Sequence, residues 1–326
     1  MRSLRRRAFF AAGLLAAPAR AAMAQSGSEF PSRPLRLIAG FPPGSAADVA
    51  ARLIAPAMAA SLGQAVVVDN RPGAGSNIAA EQATRAAPDG YTLLLGSVAN
   101  TINASLQRDL PFDFARDLAP IAPLVTVPNL LVVHPSVEAR SVSELIALAR
   151  GRGGSLFFGS SGIGTAPHLS GEMFNLMAGV RMTHVPYPGS AQAVTDLLAG
   201  RVAVMFSPAS TVLAHTREGR LRALASTGSA RTAAASDLPT MEEAGLKGFQ
   251  SAVWFGLYAP AGTPGRIVAR LADAARTALN ASGTRAQLTS QGFDILDGGS
   301  DALARLTAGE TAKWARVIEA SGARSN

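Results

Sequence analysis

Short apolar runs alternate with longer stretches of helical periodicity along most of this chain. The run "LRLIAG" (35–40) is followed by the turn "FPPGS" (41–45). Next comes "AADVAARLIAPAMAASLG" (46–63), where apolar residues recur at helical spacing. The same sequence of elements continues with "AVVVDN" (65–70), "RPGAGS" (71–76), "NIAAEQATRAA" (77–87), the turn "PDG" (88–90) and "YTLLLGS" (91–97). Apolar runs of five to seven residues bounded by Gly, Pro, Asn and Ser read as strands, so the pattern predicts strand, helix, strand, helix, strand.

A second stretch repeats this order: "SLFFGS" (155–160), "SGIGT" (161–165), "APHLSGEMFNLMAG" (166–179), "RMTHVPY" (181–187), "PGS" (188–190), "AQAVTDLLAG" (191–200) and "RVAVMFSP" (201–208). The repeat lies in the order of elements and the placing of small-residue loops, not in identity. It predicts an α/β fold with two similar lobes, each a mainly parallel sheet flanked by helices. Two continuous apolar runs, "VPNLLVVHP" (127–135) and "SAVWFGLYAP" (251–260), flank the second unit and read as paired crossings between the lobes. Lobe one is then expected over 25–127 and 251–326, with lobe two inserted over 128–250. The segments "RIVARLADAARTALN" (266–280) and "DALARLTAGETAKWARVIEAS" (301–321) read as amphipathic helices returning to lobe one, the second packing Trp314 on its inner face. In such sheets ligands lie beyond the carboxyl ends of strands, so two facing lobes predict a hinged cleft.

Composition changes the picture mainly at the amino end. Residues 1–24 combine a basic start (Arg2, Arg5, Arg6, Arg7), an apolar stretch too short to span a bilayer and the small-residue pattern "AMA" (22–24). That reads as an export signal cleaved near Ala24, and "RRAFF" (6–10) resembles a twin-arginine signal. Formal net charge is +8 for the whole chain; without the five arginines of this segment, 25 basic side chains face 22 acidic ones. A nucleic-acid-binding role loses its support, and the mature chain has only two lysines, Lys247 and Lys313. There is no cysteine, hence no disulfide and no thiolate chemistry. The four histidines (His134, His168, His184, His215) lack metal-like spacing, so neither a metal nor another cofactor is expected.

Chemistry concentrates in the strand-to-helix loops. Ser45 and Asp48 form an S-x-x-D capping pattern, and the backbone N–H groups of Gly44 to Ala47 at a helix start suit one anionic group. With no basic side chain and no GxxxxGK[ST] pattern, the loop fits a small carboxylate better than a polyphosphate. "GSSGIGTAPH" (159–168) is the counterpart in lobe two, offering Ser160, Ser161 and Thr165. It is not a nucleophile elbow, because Ile163 takes the place of the last glycine, nor GxGxxG, because Pro167 replaces the third. His168 falls in the first turn of the following helix, and Gly189 and Ser190 open the next one. Trp254, in a crossing strand, is a further candidate for the cleft wall. Loops at facing helix starts without base, nucleophile or metal describe a binder. Its rivals are a serine hydrolase using Ser160 or Ser161 with His168, and a sensor whose loaded form docks on a receptor.

The segments "FPSRPLRLIAGFPPGSAADVAARLIAP", "NRPGAGSNIAAEQATRAAPDGYTLLLGS", "VPYPGSAQAVTDLLAGRVAVMF", "LRALASTGSAR" and "VWFGLYAPAGTP" together resemble the Bug-type substrate-binding proteins of tripartite tricarboxylate transporters. The resemblance runs over essentially the whole mature chain. It implies a two-lobed, hinged periplasmic binding protein (type II like) that holds a small carboxylate through backbone N–H groups, hydroxyls and ordered waters. It further implies a monomer that serves membrane transporter subunits. The family's anion-gripping loops fall on 41–46 and 160–165 here. Residues expected around a ligand are Phe41, Pro42, Gly44, Ser45, Ala46, Ser97, Ser160, Ser161, Gly162, Thr165, His168, Gly189, Ser190, Phe206 and Ser207. Relatives often carry an acid or amide after "VMF", where this chain has Ser207-Pro208, and a second glycine where it has Ser45. A relative's ligand therefore does not carry over.

Overall fold

A computed structural model describes residues 30–107 and 109–323; the export signal expected over 1–24 lies outside them. The first repeat unit folds as β1 (Leu35–Ala39), α1 (Ala46–Leu62), β2 (Val66–Asn70), α2 (Asn77–Thr84) and β3 (Thr92–Ser97), and α3 (Val98–Leu106) starts directly from β3. The three strands are parallel in the order β2-β1-β3. Then follow α4 (Phe114–Asp117), β4 (Leu118–Val133) and α5 (Val142–Arg152). The second unit is β5 (Phe157–Ser160), α6 (Ala166–Ala178), β6 (Thr183–Pro186), α7 (Ser190–Leu198) and β7 (Val204–Pro208). Its strands are again parallel, in the equivalent order β6-β5-β7. The chain continues through α8 (Ala209–Arg217), β8 (Arg222–Ser226), β9 (Ala252–Pro260), α9 (Gly265–Asn280), α10 (Ser282–Ser290), β10 (Asp294–Ile295) and α11 (Ser300–Ser321). The repeat legible in element order is thus a repeat in sheet topology.

β4 joins the two sheets. Leu118 to Pro128 pair antiparallel with β9 beside β3, and Asn129 to Val133 pair antiparallel with β7 and β8. The crossings do pair, but chiefly through the earlier half of β4, which the sequence reading left out. Pro120 and Pro123 hide that half: proline cannot donate to a ladder, and the register slips beside each of them. The 16-residue strand tolerates both at the slips. Where β4 changes sheets, Asn129 N–H donates to Thr227 Oγ1 (3.0 Å), Thr227 N–H to Asn129 O (2.9 Å) and Ser251 N–H to Thr227 O (2.9 Å). These bonds tie both crossings together.

Helix ends follow local chemistry. Ser45 caps α1 by accepting from Asp48 N–H, and Gly63 ends it in the left-handed region at φ 71°. The apolar faces of β1 and β3 and the alanine face of α1 (Ala47, Ala50, Ala51, Ile54) form one core, which Trp314 of α11 closes. A second core lies on sheet β6-β5-β7 and is filled by Phe158, Phe174, Phe206 and Phe249. Among the described residues no helix is long and apolar enough to cross a membrane, and no cluster of His, Asp or Glu could hold a metal.

Candidate functional site

Because both units wind in the same order, the carboxyl ends of their strands face one another and five helices begin there. The N-caps are Ser45 (α1), Ser97 (α3), Thr165 (α6), Gly189 (α7) and Pro208 (α8). Between them is a cleft with about 340 Å³ of atom-free space, the part open to solvent included, lined by Phe41, Ser45, Ala46, Ala47, Ser97, Val98, Ala99, Ser161, Thr165, Ala166, Pro167, Ser190, Pro208, Val253 and Phe255. Among the described residues no lining side chain carries a charge. Each helix start contributes a partial positive charge of about +0.5 and unpaired N–H donors, so backbone dipoles and hydroxyls make this wall favourable to an anion.

The first loop is held rigidly. Gly44 adopts φ +77°, a conformation that favours glycine, and its N–H donates to Asp48 Oδ2 at 3.0 Å. Burial alone would raise the Asp48 pKa, but bonds from Arg52 (Nε to Oδ1, 2.8 Å) and Gly44 outweigh it and hold the carboxyl below its ordinary range. Asp48 is therefore a capping anion already paired.

In the second loop the buried Ser160 has its Oγ 2.6 Å from His184 Nε2 and accepts from Gly162 N–H at 3.1 Å. Thr165 Oγ1 donates to Gly162 O (2.7 Å), and Gly164 N–H donates to His168 Nδ1 (3.3 Å). The imidazoles of His168 and His184 stack with centroids 4.1 Å apart, and Phe158 stacks on His184 at 4.9 Å. Burial pushes the His168 pKa down to about 4. Burial, then the neighbouring His168, takes His184 to about 3. Both are neutral at pH 7. This corrects the pairing considered for a hydrolase: the histidine bonded to Ser160 is His184, and His168 accepts from backbone instead. Ser160 Oγ is committed within the loop rather than aimed into the cavity.

Of the residues expected around a ligand, Phe41, Ser45, Ala46, Ser97, Ser161, Thr165 and Ser190 line the cavity together. Pro42, Gly44, Ser160, Gly162, His168, Gly189, Phe206 and Ser207 are not in its wall. Gly44, Gly162 and His168 shape the loops. Phe206 belongs to the second core, between Phe174 and Phe249. Ser207 Oγ is paired with Thr211 Oγ1 at 2.7 Å. Gly189 and Pro42 meet across the cleft, where a Cβ on Gly189 would stand 3.0 Å from Pro42 Cγ. A Cβ on Gly164 would overlap Asn103 Oδ1, and one on Gly75 would lie 3.2 Å from Ile163 O, so glycines let the two halves touch. Trp254 turns away from the cavity and its neighbours Val253 and Phe255 line it, as strand alternation requires. Val98 and Ala99 were missed because Ser97 is both the last residue of β3 and the cap of α3, with no loop between. At the end of β7 the expectation named Ser207, and its neighbour Pro208 is the one in the wall.

The profile of the tripartite tricarboxylate transporter family receptor (TctC) matches residues 50–323. Protein BugT of Bordetella pertussis is 37% identical over 314 residues, covering 96% of this chain and 96% of its own. The structure of R. palustris Rpa4515 with adipate is 36% identical, with a TM-score of 0.87 over 90% of this chain and 99% of that one. MatC (Rpa3494) from Rhodopseudomonas palustris with bound malate is 33% identical, with a TM-score of 0.84 over 89% of this chain and 100% of that one. This chain belongs to the tripartite tricarboxylate transporter family of receptors, whose solved members share its two-lobed binding-protein fold.

Proposed function

We propose that this chain is an exported periplasmic receptor that captures a small carboxylate between its lobes and presents the closed form to the membrane subunits of a tripartite tricarboxylate-type transporter. Residues 1–24 serve export, lobe one spans 25–127 and 251–326, lobe two spans 128–250, and the receptor acts as a monomer without catalysis. The observation that carries this reading is the convergence of five helix starts on a cavity with no charged side chain in its wall. Such a cavity stabilises one small anion and offers no nucleophile, base or metal to transform it. Ser161 and Ser190 line it, and among the described residues neither hydroxyl has a protein partner, so both are free to donate. The adipate and malate bound by two relatives are of this chemical class. Ligand binding to both halves stabilises the closed form, which is what a partner can read.

The test is a thermal-melt screen of refolded, ligand-stripped mature protein against aliphatic and aromatic carboxylates, followed by calorimetry. A ligand at a hundred times its Kd adds about 2.7 kcal/mol, a rise of a few degrees for a chain of this size. A selective rise with one chemical series supports the reading; a flat panel refutes it.

A further inference from the structure

The two halves also meet outside the cavity wall, and a buried amide lies at that contact. We infer that Asn103 is a positioning residue for capture: it touches no ligand, yet it receives the second half at closure and sets how long a ligand stays. The inference rests on the carboxylate reading above.

Asn103 lies in the second turn of α3, is fully buried and is not in the cavity wall. Its Nδ2 donates to Gly75 O at 3.1 Å, and its Oδ1 accepts from Gln107 Nε2 at 3.3 Å. The first bond steadies a loop that needs it. Ala74, Gly75 and Ser76 take three successive left-handed conformations, at φ 47°, 61° and 79°, and two of the three carry a Cβ. On the other side of the amide is Gly164 of the second half, itself left-handed at φ 75°. The three atoms nearest to a Cβ built on Gly164 are Oδ1, Cγ and Nδ2 of Asn103, the first of them in overlap. A Cβ on Gly75 would press on the same Nδ2 and on Ile163 O. The amide is thus wedged between two glycines, one from each half. Gly164 is next to Thr165 and three residues from Ser161, both in the cavity wall. Seating it against Asn103 therefore fixes where those hydroxyls stand relative to Ser45 and Ser97. Opening the cleft breaks this contact, whereas the bonds to Gly75 and Gln107 lie within the first half and stay. The contact accordingly favours the closed form alone. A ligand leaves through the open form, so its departure is slowed while the encounter rate is nearly unchanged.

Calorimetry and stopped-flow kinetics with adipate, malate and the tightest acid of the melt screen test this on Asn103→Ala, Gly164→Ala and the double variant, beside melting of each empty protein. Asn103→Ala is expected to weaken binding about threefold to tenfold through faster dissociation. Gly164→Ala drives a Cβ into the amide at closure and should weaken binding about tenfold or more. In the double variant the amide is gone and the Cβ has room. Its loss should fall short of the product of the single losses by at least about fivefold. The left-handed φ of Gly164 penalises alanine alike in both backgrounds and cancels in that comparison. Losses that simply multiply, or single variants that bind as the wild type does, overturn the inference and leave the carboxylate reading standing. Coupling seen in the melting of the empty proteins, with normal affinity, overturns it too, because the contact is then permanent. Asn103→Ser, shorter but still polar, replaces Asn103→Ala if that chain does not fold. Should Gly164→Ala fail to fold, wild-type dissociation rates in the Asn103 variants overturn the inference. A wild type that binds none of these acids overturns the carboxylate reading and the inference with it.

Discussion

Acidification is expected to weaken the fold well before its carboxylates protonate, because two imidazoles are buried neutral against each other. His168 is 5% exposed and is held at about 4 against an ordinary 6.5. In the unfolded chain it takes a proton near pH 6.5, and in the folded chain only near pH 4. Between those values the unfolded state binds more protons, so stability is complete above pH 6.5 and falls as pH drops through the window. At 1.36 kcal/mol per pH unit, His168 alone removes about 2 kcal/mol by pH 5 and about 3 kcal/mol by pH 4. His184 acts in the same direction. Glu172 opposes both: burial raises its pKa, so the folded state takes up its proton early and gains slightly as pH falls. The paired Asp48, Asp69 and Asp117 add losses only below the ordinary carboxylate range, outside this window. The assay is thermal melting in constant ionic strength from pH 7.5 to 4.5, on the wild type and on His168→Asn. Asn keeps an acceptor for Gly164 N–H and removes the titration. By pH 5 the wild type should lose about 3–4 °C more than the variant. Parallel curves for the two proteins would refute the reasoning, since the proton uptake would then lie elsewhere.

Three further outcomes follow from the site. Ser161→Ala and Ser190→Ala should each weaken ligand binding by about tenfold or more, as loss of a hydrogen bond to a charged group does, with little change in the melting of the empty protein. Gly189→Ala meets no backbone penalty, because its φ of −176° is extended; the three atoms nearest its Cβ all belong to Pro42 across the cleft. It should therefore slow closure and lower affinity, and unchanged binding by calorimetry would count against contact-limited closure. Asp48→Ala should cost about 1–2 kcal/mol in denaturant unfolding, from the lost cap and dipole partner of α1.

Much of this architecture was legible because strand-to-helix loops carry their own punctuation. "FPPGS", "RPGAGS", "SGIGT" and "PGS" mark the ends of β1, β2, β5 and β6 with glycine, proline and serine, and the loops after β1, β5 and β6 build much of the site. Part of what escaped the sequence reading lay where strand passes into helix with no loop between. Ser97 and Pro208 are each the last residue of a strand and the cap of the next helix, so Val98 and Ala99 were left out and Ser207 was named instead of Pro208. The first half of β4 was hidden by two prolines that the register slips accommodate. Phe206 was misplaced because an apolar strand end reads the same whether it faces a cleft or a second core. The Ser160–His184 bond could not be seen at all, since neighbouring parallel strands bring together residues 24 positions apart.

The bonds where β4 changes sheets give the last prediction. Closure moves one sheet against the other, and among the connections described both crossings pass through Asn129, Thr227 and Ser251. Thr227 bonds two residues there: its Oγ1 accepts Asn129 N–H and donates to Ser251 O, its N–H donates to Asn129 O, and its carbonyl accepts Ser251 N–H. Ser170 Oγ of α6 bonds Ser251 Oγ at 2.7 Å, fastening the second lobe to the same knot. Thr227→Val keeps the shape and deletes the hydroxyl, leaving the Asn129 N–H buried without a partner at a cost of about 1–3 kcal/mol. If the knot positions the lobes, that cost falls partly on closure, so ligand affinity drops as well as stability. If it only holds each sheet together, melting falls and affinity measured below the transition stays at the wild-type value. Calorimetry on Thr227→Val beside Thr227→Ser, which retains the hydroxyl, separates the two, and normal affinity in a destabilised Thr227→Val protein would refute a positioning role.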